Sequence, residues 1–520
     1  MLKQIFLFLF LFSLVITSVP AQSRLDYPKP RKAAQVDDFH GTKVSDPYRW
    51  MEDAPLNDDT KAWIEAENNL TNSYLATIPE REAIKARLTE LWNYERYSSP
   101  SKIGKKYIYS KNDGLQNQSV LYIADSITDR GRVFFDPNKL TTDGTAALNG
   151  SSFTDDGKLW AYGVAKSGSD RTEWKVMNVE TGEHLSDTLS PNRQGGISWL
   201  NDNSGFYYSS YPPAEKGQEL KTTTYFQKLY FHKLGTPHSD DYVVYERPDN
   251  KEYFVGGGVT EDGNWLVINV GKGTERMNMV YFKNLTMEKA GILPLITDLK
   301  NSYSFIGNDG PVFYFRTDKD APRGKVVSVN VLARSHVWND LIPEAAETLN
   351  GVQFVNNQFV LNYMKDAYTK IEIFDTKGTH VRDVDLPGIG SAGGFGGKRS
   401  DTSTFYTYSS YNAPPTIYQY DMKSGKSTLF RQAKVNFNAA DIEVKQVFYA
   451  SKDGTKVPMF IVHKKGIALN GANPTLLYGY GGFNIPQTPG FSVARLPWLE
   501  MGGVYAVACI RGGSEYGKEW

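Results

Sequence analysis

Polar turns that lead into alternating aromatic and β-branched positions recur through the middle of the chain. The clearest are Phe153-Thr154-Asp155-Asp156-Gly157-Lys158-Leu159-Trp160-Ala161-Tyr162 and Val259-Thr260-Glu261-Asp262-Gly263-Asn264-Trp265-Leu266-Val267-Ile268. Related units lie at 102–109, 197–208, 305–315, 352–363 and 395–408, which makes seven. Period-two alternation predicts half-buried strands, and the Gly-containing turns predict that successive strands fold back as hairpins. A spacing of roughly 45 to 60 residues is near the repeat length of propeller blades. Further strand-and-turn pieces at 371–378 and 417–425 supply outer strands, which a four-stranded blade needs to cover its inner ones. A large β-sandwich array is the alternative; the count and spacing favour a seven-bladed β-propeller over residues 94–434.

On either side the pattern changes. In 58–93, Trp63, Glu67, Leu70 and Tyr74 follow one helical face, Pro79 interrupts, and Ile84, Leu88 and Leu91 follow the next, so two amphipathic helices are expected. Their apolar faces need a partner, which the strand-rich middle does not offer and the end of the chain does. After 435, residues 441–450 and 456–463 alternate as a hairpin around Ser451-Lys452-Asp453-Gly454-Thr455. The runs 475–478 and 504–510 are then continuously apolar, as in strands buried on both faces of an α/β sheet. Glycines follow each run: Gly479-Tyr480-Gly481-Gly482 and Gly512-Gly513. Ligands approach such sheets at the carboxyl ends of the strands. In α/β-hydrolases one of these loops supplies part of the oxyanion hole, where close backbone approach favours residues without a Cβ. Tyr480 amid these glycines offers a phenolic donor to an oxyanion, or simply packs in a tight turn. The expected fold class is mixed β and α/β: a seven-bladed β-propeller plus an incomplete α/β-hydrolase domain. The segments are a signal peptide (1–21), a helical segment packing on the hydrolase domain (22–93), the propeller (94–434) and the first part of the hydrolase domain (435–520).

Composition narrows the classes of function. In 520 residues, 58 Lys and Arg cancel 58 Asp and Glu, so no basic field gathers phosphates and nucleic acid is not an expected partner. A single cysteine excludes a disulfide within the chain. Lys3, the apolar stretch 5–15 and Val19-Pro20-Ala21 form a secretory signal, too short to span a bilayer comfortably. A retained anchor is the alternative; an exported protein, periplasmic or secreted and without stable membrane association, is the expectation.

Other candidate chemistry is weaker. Gly388-Ile389-Gly390-Ser391-Ala392-Gly393 matches a dinucleotide fingerprint, but a strand repeat follows where a helix is required, which favours a turn. The seven histidines, His40, His184, His232, His238, His336, His380 and His463, lack metal-ligand spacing. No metal and no cofactor are expected. Cys509 lies in an apolar run and reads as a core residue. Asn69-Leu70-Thr71 fits a glycosylation acceptor but falls inside an expected helix.

Asp46-Pro47-Tyr48-Arg49-Trp50-Met51-Glu52-Asp53, Gly114-Leu115-Gln116-Asn117-Gln118 and Lys452-Asp453-Gly454-Thr455-Lys456-Val457-Pro458-Met459-Phe460 resemble the prolyl oligopeptidase family of serine peptidases. So do Leu477-Tyr478-Gly479-Tyr480-Gly481-Gly482-Phe483-Asn484 and Arg511-Gly512-Gly513-Ser514-Glu515-Tyr516-Gly517. The resemblance implies a propeller capping an α/β-hydrolase domain, with the 58–93 helices on the hydrolase side. It implies cleavage of short peptides after proline, with the propeller as a size filter, in an enzyme that works as a monomer. It casts Tyr480 as the oxyanion tyrosine, Phe483 as the lining of the proline subsite and Asn484 as a substrate-binding neighbour. The family nucleophile sits in a Gly-x-Ser-x-Gly elbow, and no such pentapeptide occurs here. Ser514 comes nearest, but Tyr516 occupies the fifth position and the resemblance places this stretch before the elbow. The triad order Ser, Asp, His then puts nucleophile, acid and base beyond Trp520, and the chain reads as truncated and inactive alone. The competing class is a non-catalytic propeller that binds peptides or proteins.

Overall fold

The computed structural model describes residues 25–52, 57–193, 195–213 and 224–520. The expected signal segment lies outside them. Among the described residues no helix is long and apolar enough to cross a membrane.

All seven recurring units are hairpins, and the turn chemistry explains two of them in atomic detail. Thr154 Oγ1 donates to Asp156 Oδ1 (2.9 Å) while the amides of Lys158 and Leu159 donate to Asp156 Oδ1 and Thr154 Oγ1 (3.1 and 3.0 Å). Thr260, Asp262, Asn264 and Trp265 repeat this pattern. In both turns the next residue is in the left-handed region, Gly157 at φ 72° and Gly263 at φ 74°, which glycine adopts without a Cβ penalty.

Each unit opens a sheet whose strands follow sequence order, and these sheets are the seven blades: 96–135, 146–192, 197–245, 253–296, 303–342, 348–384 and 391–432. Blades two to seven have four strands; the first has two short leading strands, Arg96–Tyr97 and Ser101–Ile103, both paired to Lys106–Asn112. Aromatic layers join neighbouring blades, as where Trp265 and Phe282 of the fourth meet Phe313 and Phe315 of the fifth. No blade shares a strand with another. The seam between the first and seventh is closed by side chains: Ser99 to Thr407 (3.0 Å), Lys102 to Asp401 (2.8 Å), and Arg431 stacked 4.5 Å over both Tyr97 and Tyr109.

The leading strands of the second and third, third and fourth, and fifth and sixth blades touch one another, which places them around the axis. Their hairpins therefore gather at one end of it. There Lys398 and Arg399 reach across from the seventh blade. Lys398 pairs with Asp155 of the second, and Arg399 bonds Glu261, Asn308 and Asn357 of the fourth, fifth and sixth (3.1, 2.9 and 2.7 Å).

The last segment forms a four-stranded sheet in the order Ile442–Ala450, Lys456–Lys464, Val504–Ala508, Thr475–Gly479. The first three strands pair antiparallel and the last pair is parallel. Val504–Ala508 is fully buried, as its continuous apolar run requires. The expectation that 475–478 is buried on both faces is not met: Thr475–Gly479 is an edge strand, exposed throughout, with Leu477 64% exposed. Only one of its edges is paired, so the hydrophobic run identifies a strand without supplying the neighbour that would bury it.

The described residues up to Ala83 form one compact unit and those from Ile84 a second. In the first, Trp50 donates to Arg31 O (2.9 Å) beneath the Arg31 guanidinium, and α1 (Asp58–Ala76) begins where Asn57 accepts from the Thr60 amide (2.8 Å). The helix break expected at Pro79 separates α1 from α2 (Arg81–Trp92). In the second unit the later turns of α2 do meet the end of the chain. Leu91 is buried on Val493 and Leu496, and Arg87 bonds both carboxylate oxygens of Glu500 in α3 (Leu496–Glu500), at 3.0 and 2.7 Å.

Candidate active site

The two glycine loops are fitted to each other. A Cβ at Gly481 would lie 2.6 Å from the Ile510 side chain and 2.8 Å from Arg511 O, and one at Gly512 would lie 2.2 Å from Gly481 O. Both residues have positive φ, 65° and 97°. Loop-to-loop packing therefore requires the missing Cβ atoms at both positions. The Asn484 amide donates to Gly512 O (2.9 Å), and Arg511 ties the second loop to the 451–455 turn through Asp453 and Ser451 Oγ. Arg511 and the turn amide of Thr455 hold the Asp453 carboxyl down at about 2.

Tyr480 stands on this framework 46% exposed, and its hydroxyl has no hydrogen-bond partner among the described residues. Phe483 and Asn484 follow, both at positive φ (51° and 54°), a costly conformation for side-chain-bearing residues that the Gly512 contact helps to hold. Phe483 is 69% exposed and, with Asn484, lines a cavity of about 330 Å³ whose other wall is the fourth to sixth blades. This cavity lies at the end of the propeller opposite Lys398 and Arg399, since its lining comes from loops such as 274–277 and 322–324 that turn between second and third strands. The hydrolase segment is anchored there by Ser391 Oγ to Pro489 O (2.6 Å), Tyr516 to Asp366 (2.8 Å) and the Lys518 amide to Pro322 O (2.9 Å).

Residues 27–433 match the family model described as prolyl oligopeptidase, N-terminal beta-propeller domain. The chain belongs to the prolyl oligopeptidase family. It is 42% identical over 510 residues to a prolyl endopeptidase of Elizabethkingia meningoseptica, covering 98% of this chain and 72% of that protein. It superposes with a TM-score of 0.87 and 35% identity on a structure from a study of two prolyl endopeptidases, over 95% of this chain and 73% of that one. Prolyl oligopeptidase B from Galerina marginata, bound to a 25mer macrocyclization substrate, gives a TM-score of 0.88 at 30% identity, covering 95% and 73%.

Within this family frame the remaining candidates fall into structural roles. Ser514 is buried beside the buried Glu515, with no base against it among the described residues. Cys509 is fully buried, its Sγ donates to Gln487 O (3.2 Å), and burial pushes its thiol up to about 12, so it is no nucleophile. Gly388 to Gly393 lead into the strand Ser391–Gly394, as a turn. Asn69 lies inside α1. His380 joins Asp383 (2.8 Å) and lies near Glu372, a three-residue cluster invisible to linear spacing because Glu372 comes from the adjacent strand; Lys370 already pairs with Glu372, and the group is a surface ion-pair patch. His232 is buried between Asp241 (2.7 Å) and Asp187 (3.1 Å), and Tyr208 donates to Asp241 (2.7 Å). Burial alone would lower this imidazole, but the two carboxylates outweigh it and raise it. Sequence spacing also missed Arg276 and Arg316, which enter the cavity from separate blades.

Proposed function

We propose that this chain carries the propeller and oxyanion loop of a serine-type endopeptidase that cleaves short peptides after proline. The observation that supports this reading above others is the unbonded hydroxyl of half-exposed Tyr480 on a glycine-built loop, three residues before Phe483, which lines the cavity. When a serine oxygen attacks a peptide carbonyl, negative charge moves to the carbonyl oxygen. A donor already aimed there lowers the barrier without reorganising. Phe483 offers an apolar face to a proline ring. The prolyl endopeptidase relative supports the same substrate class.

The propeller acts as the size filter: its far axial end is bridged by Lys398 and Arg399, and its near end is covered by the hydrolase segment. The 520 residues contain no Gly-x-Ser-x-Gly elbow, so alone they do not turn substrate over. The apolar stretch 5–15 and the small residues at 19–21 support export. The test is an assay with a chromogenic Gly-Pro substrate on the 520-residue chain and on a form that contains the nucleophilic serine. Activity confined to the latter and abolished by a serine reagent is expected. Serine-dependent turnover by the former, or none by the latter, overturns the reading.

A further inference from the structure

The cavity at Phe483 is lined by four cationic side chains, Arg276, Arg316, Arg323 and Lys518, against two carboxylates, Glu275 and Asp318. The carboxylates do not neutralise the set. Lys518 takes Asp318 (3.5 Å), whose other oxygen accepts from the Ser302 amide (2.8 Å). Arg323 donates to Ala346 O (2.7 Å). Arg276, on the turn between Trp265–Lys272 and Asn278–Asn284, donates one Nη2 bond to Asn484 O (2.7 Å), and Arg316 donates from Nε to Leu349 O (2.7 Å). Among the described residues neither Arg276 nor Arg316 has an ion-pair partner, and their other guanidinium donors have none. Burial and, for Arg316, repulsion from Arg276 push both guanidiniums down; Asp318 opposes this only in part. Two adjacent arginines with unused planar forks, Arg316 partly buried and Arg276 on an exposed turn, form the geometry that takes a carboxylate by paired charge-assisted bonds.

We propose that Arg276 and Arg316 form an anion subsite that selects peptides bearing a carboxylate close to the proline, from an acidic side chain or from the peptide C-terminus. This rests on the peptidase reading for the presence of proline, but not for the anion. Both arginines act on the substrate chain and not on the scissile bond. Arg276 has a second task, since it holds the backbone of Asn484 next to Phe483.

The test is fluorescence anisotropy of labelled peptides on the chain. End-blocked Gly-Glu-Pro-Gly is compared with Gly-Gln-Pro-Gly, and a blocked peptide ending in a free carboxylate with its amide. The carboxylate member of at least one pair is expected to bind about tenfold more tightly, with the gap shrinking as salt rises. Which pair shows the gap identifies the source of the anion. Arg316→Met removes the gap; if that variant does not fold, Arg276→Gln, on an exposed turn, decides. Equal affinities within both pairs, no binding of any carboxylate peptide, or a gap that survives both substitutions overturns the proposal. Exchanging proline for alanine separates the two readings. A Glu/Gln gap that persists without proline keeps the anion subsite and removes the proline preference, whereas proline-dependent binding with no gap does the reverse.

Discussion

Gly512 faces Gly481 so closely that a Cβ at position 512 falls 2.2 Å from the Gly481 carbonyl oxygen. Backbone cannot give way there as a flexible side chain would, and φ is 97°. Gly512→Ala is therefore expected to destabilise the hydrolase segment by about 2 kcal/mol or more, through overpacking and left-handed strain together. Thermal unfolding measures it; an unchanged melting temperature contradicts the packing.

Tyr480→Phe keeps the ring and removes only the free hydroxyl. In a form of the protein that contains the nucleophilic serine, kcat is expected to fall about ten- to a thousandfold, the range for one oxyanion donor. KM changes little because ground-state binding is untouched. A normal kcat with a lowered melting temperature returns Tyr480 to a packing role.

His232 joins the second and third blades, buried with its two ring nitrogens on Asp187 and Asp241. Its folded-state pKa is raised above 6.5, so its contribution to stability is full below 6.5 and is lost as pH rises through the folded value. His232→Asn removes the ring's contacts to both carboxylates while Tyr208 still donates to Asp241 and the Gly235 amide to Asp187, and is expected to cost about 1–3 kcal/mol at pH 6. Denaturant titrations across pH 5 to about 9 should show the wild type losing stability in the upper part of that window while the variant stays flatter there; parallel profiles refute the assignment.

Arg399 spans three blades at the far axial end. Arg399→Ala keeps the main-chain bond to Glu261 and removes the guanidinium's bonds to Asn308 O and Asn357, and is expected to cost about 1–3 kcal/mol, the scale for charge-assisted hydrogen bonds. Paired with Lys398→Ala, it should raise the rate on long peptides relative to short ones. An unchanged ratio means that peptides enter elsewhere.

The blades were legible because each carries its own turn chemistry: Thr154 with Asp156, and Thr260 with Asp262, specify their hairpins within a few residues. The helix break at Pro79 is equally local. Burial across the last sheet was not legible, because Leu477 faces solvent or core according to which strand lies beside it. The glycine loops announced a site around Tyr480, while Arg276 and Arg316 are separated in sequence and brought together only when neighbouring blades close up. The Asp187–His232–Asp241 bridge escaped for the same reason.

The seam between the first and seventh blades sets a clock on biosynthesis. Thr407, which meets Ser99, is 308 residues further along the chain. At about 5–20 residues per second, the flank carrying Ser99, Lys102 and Tyr97 waits roughly 15–60 s for its partner to emerge from the ribosome. During that interval the aromatic face that Arg431 finally covers is open to other chains. A nascent chain stalled between these two blades is thus the species for which a chaperone has most to do.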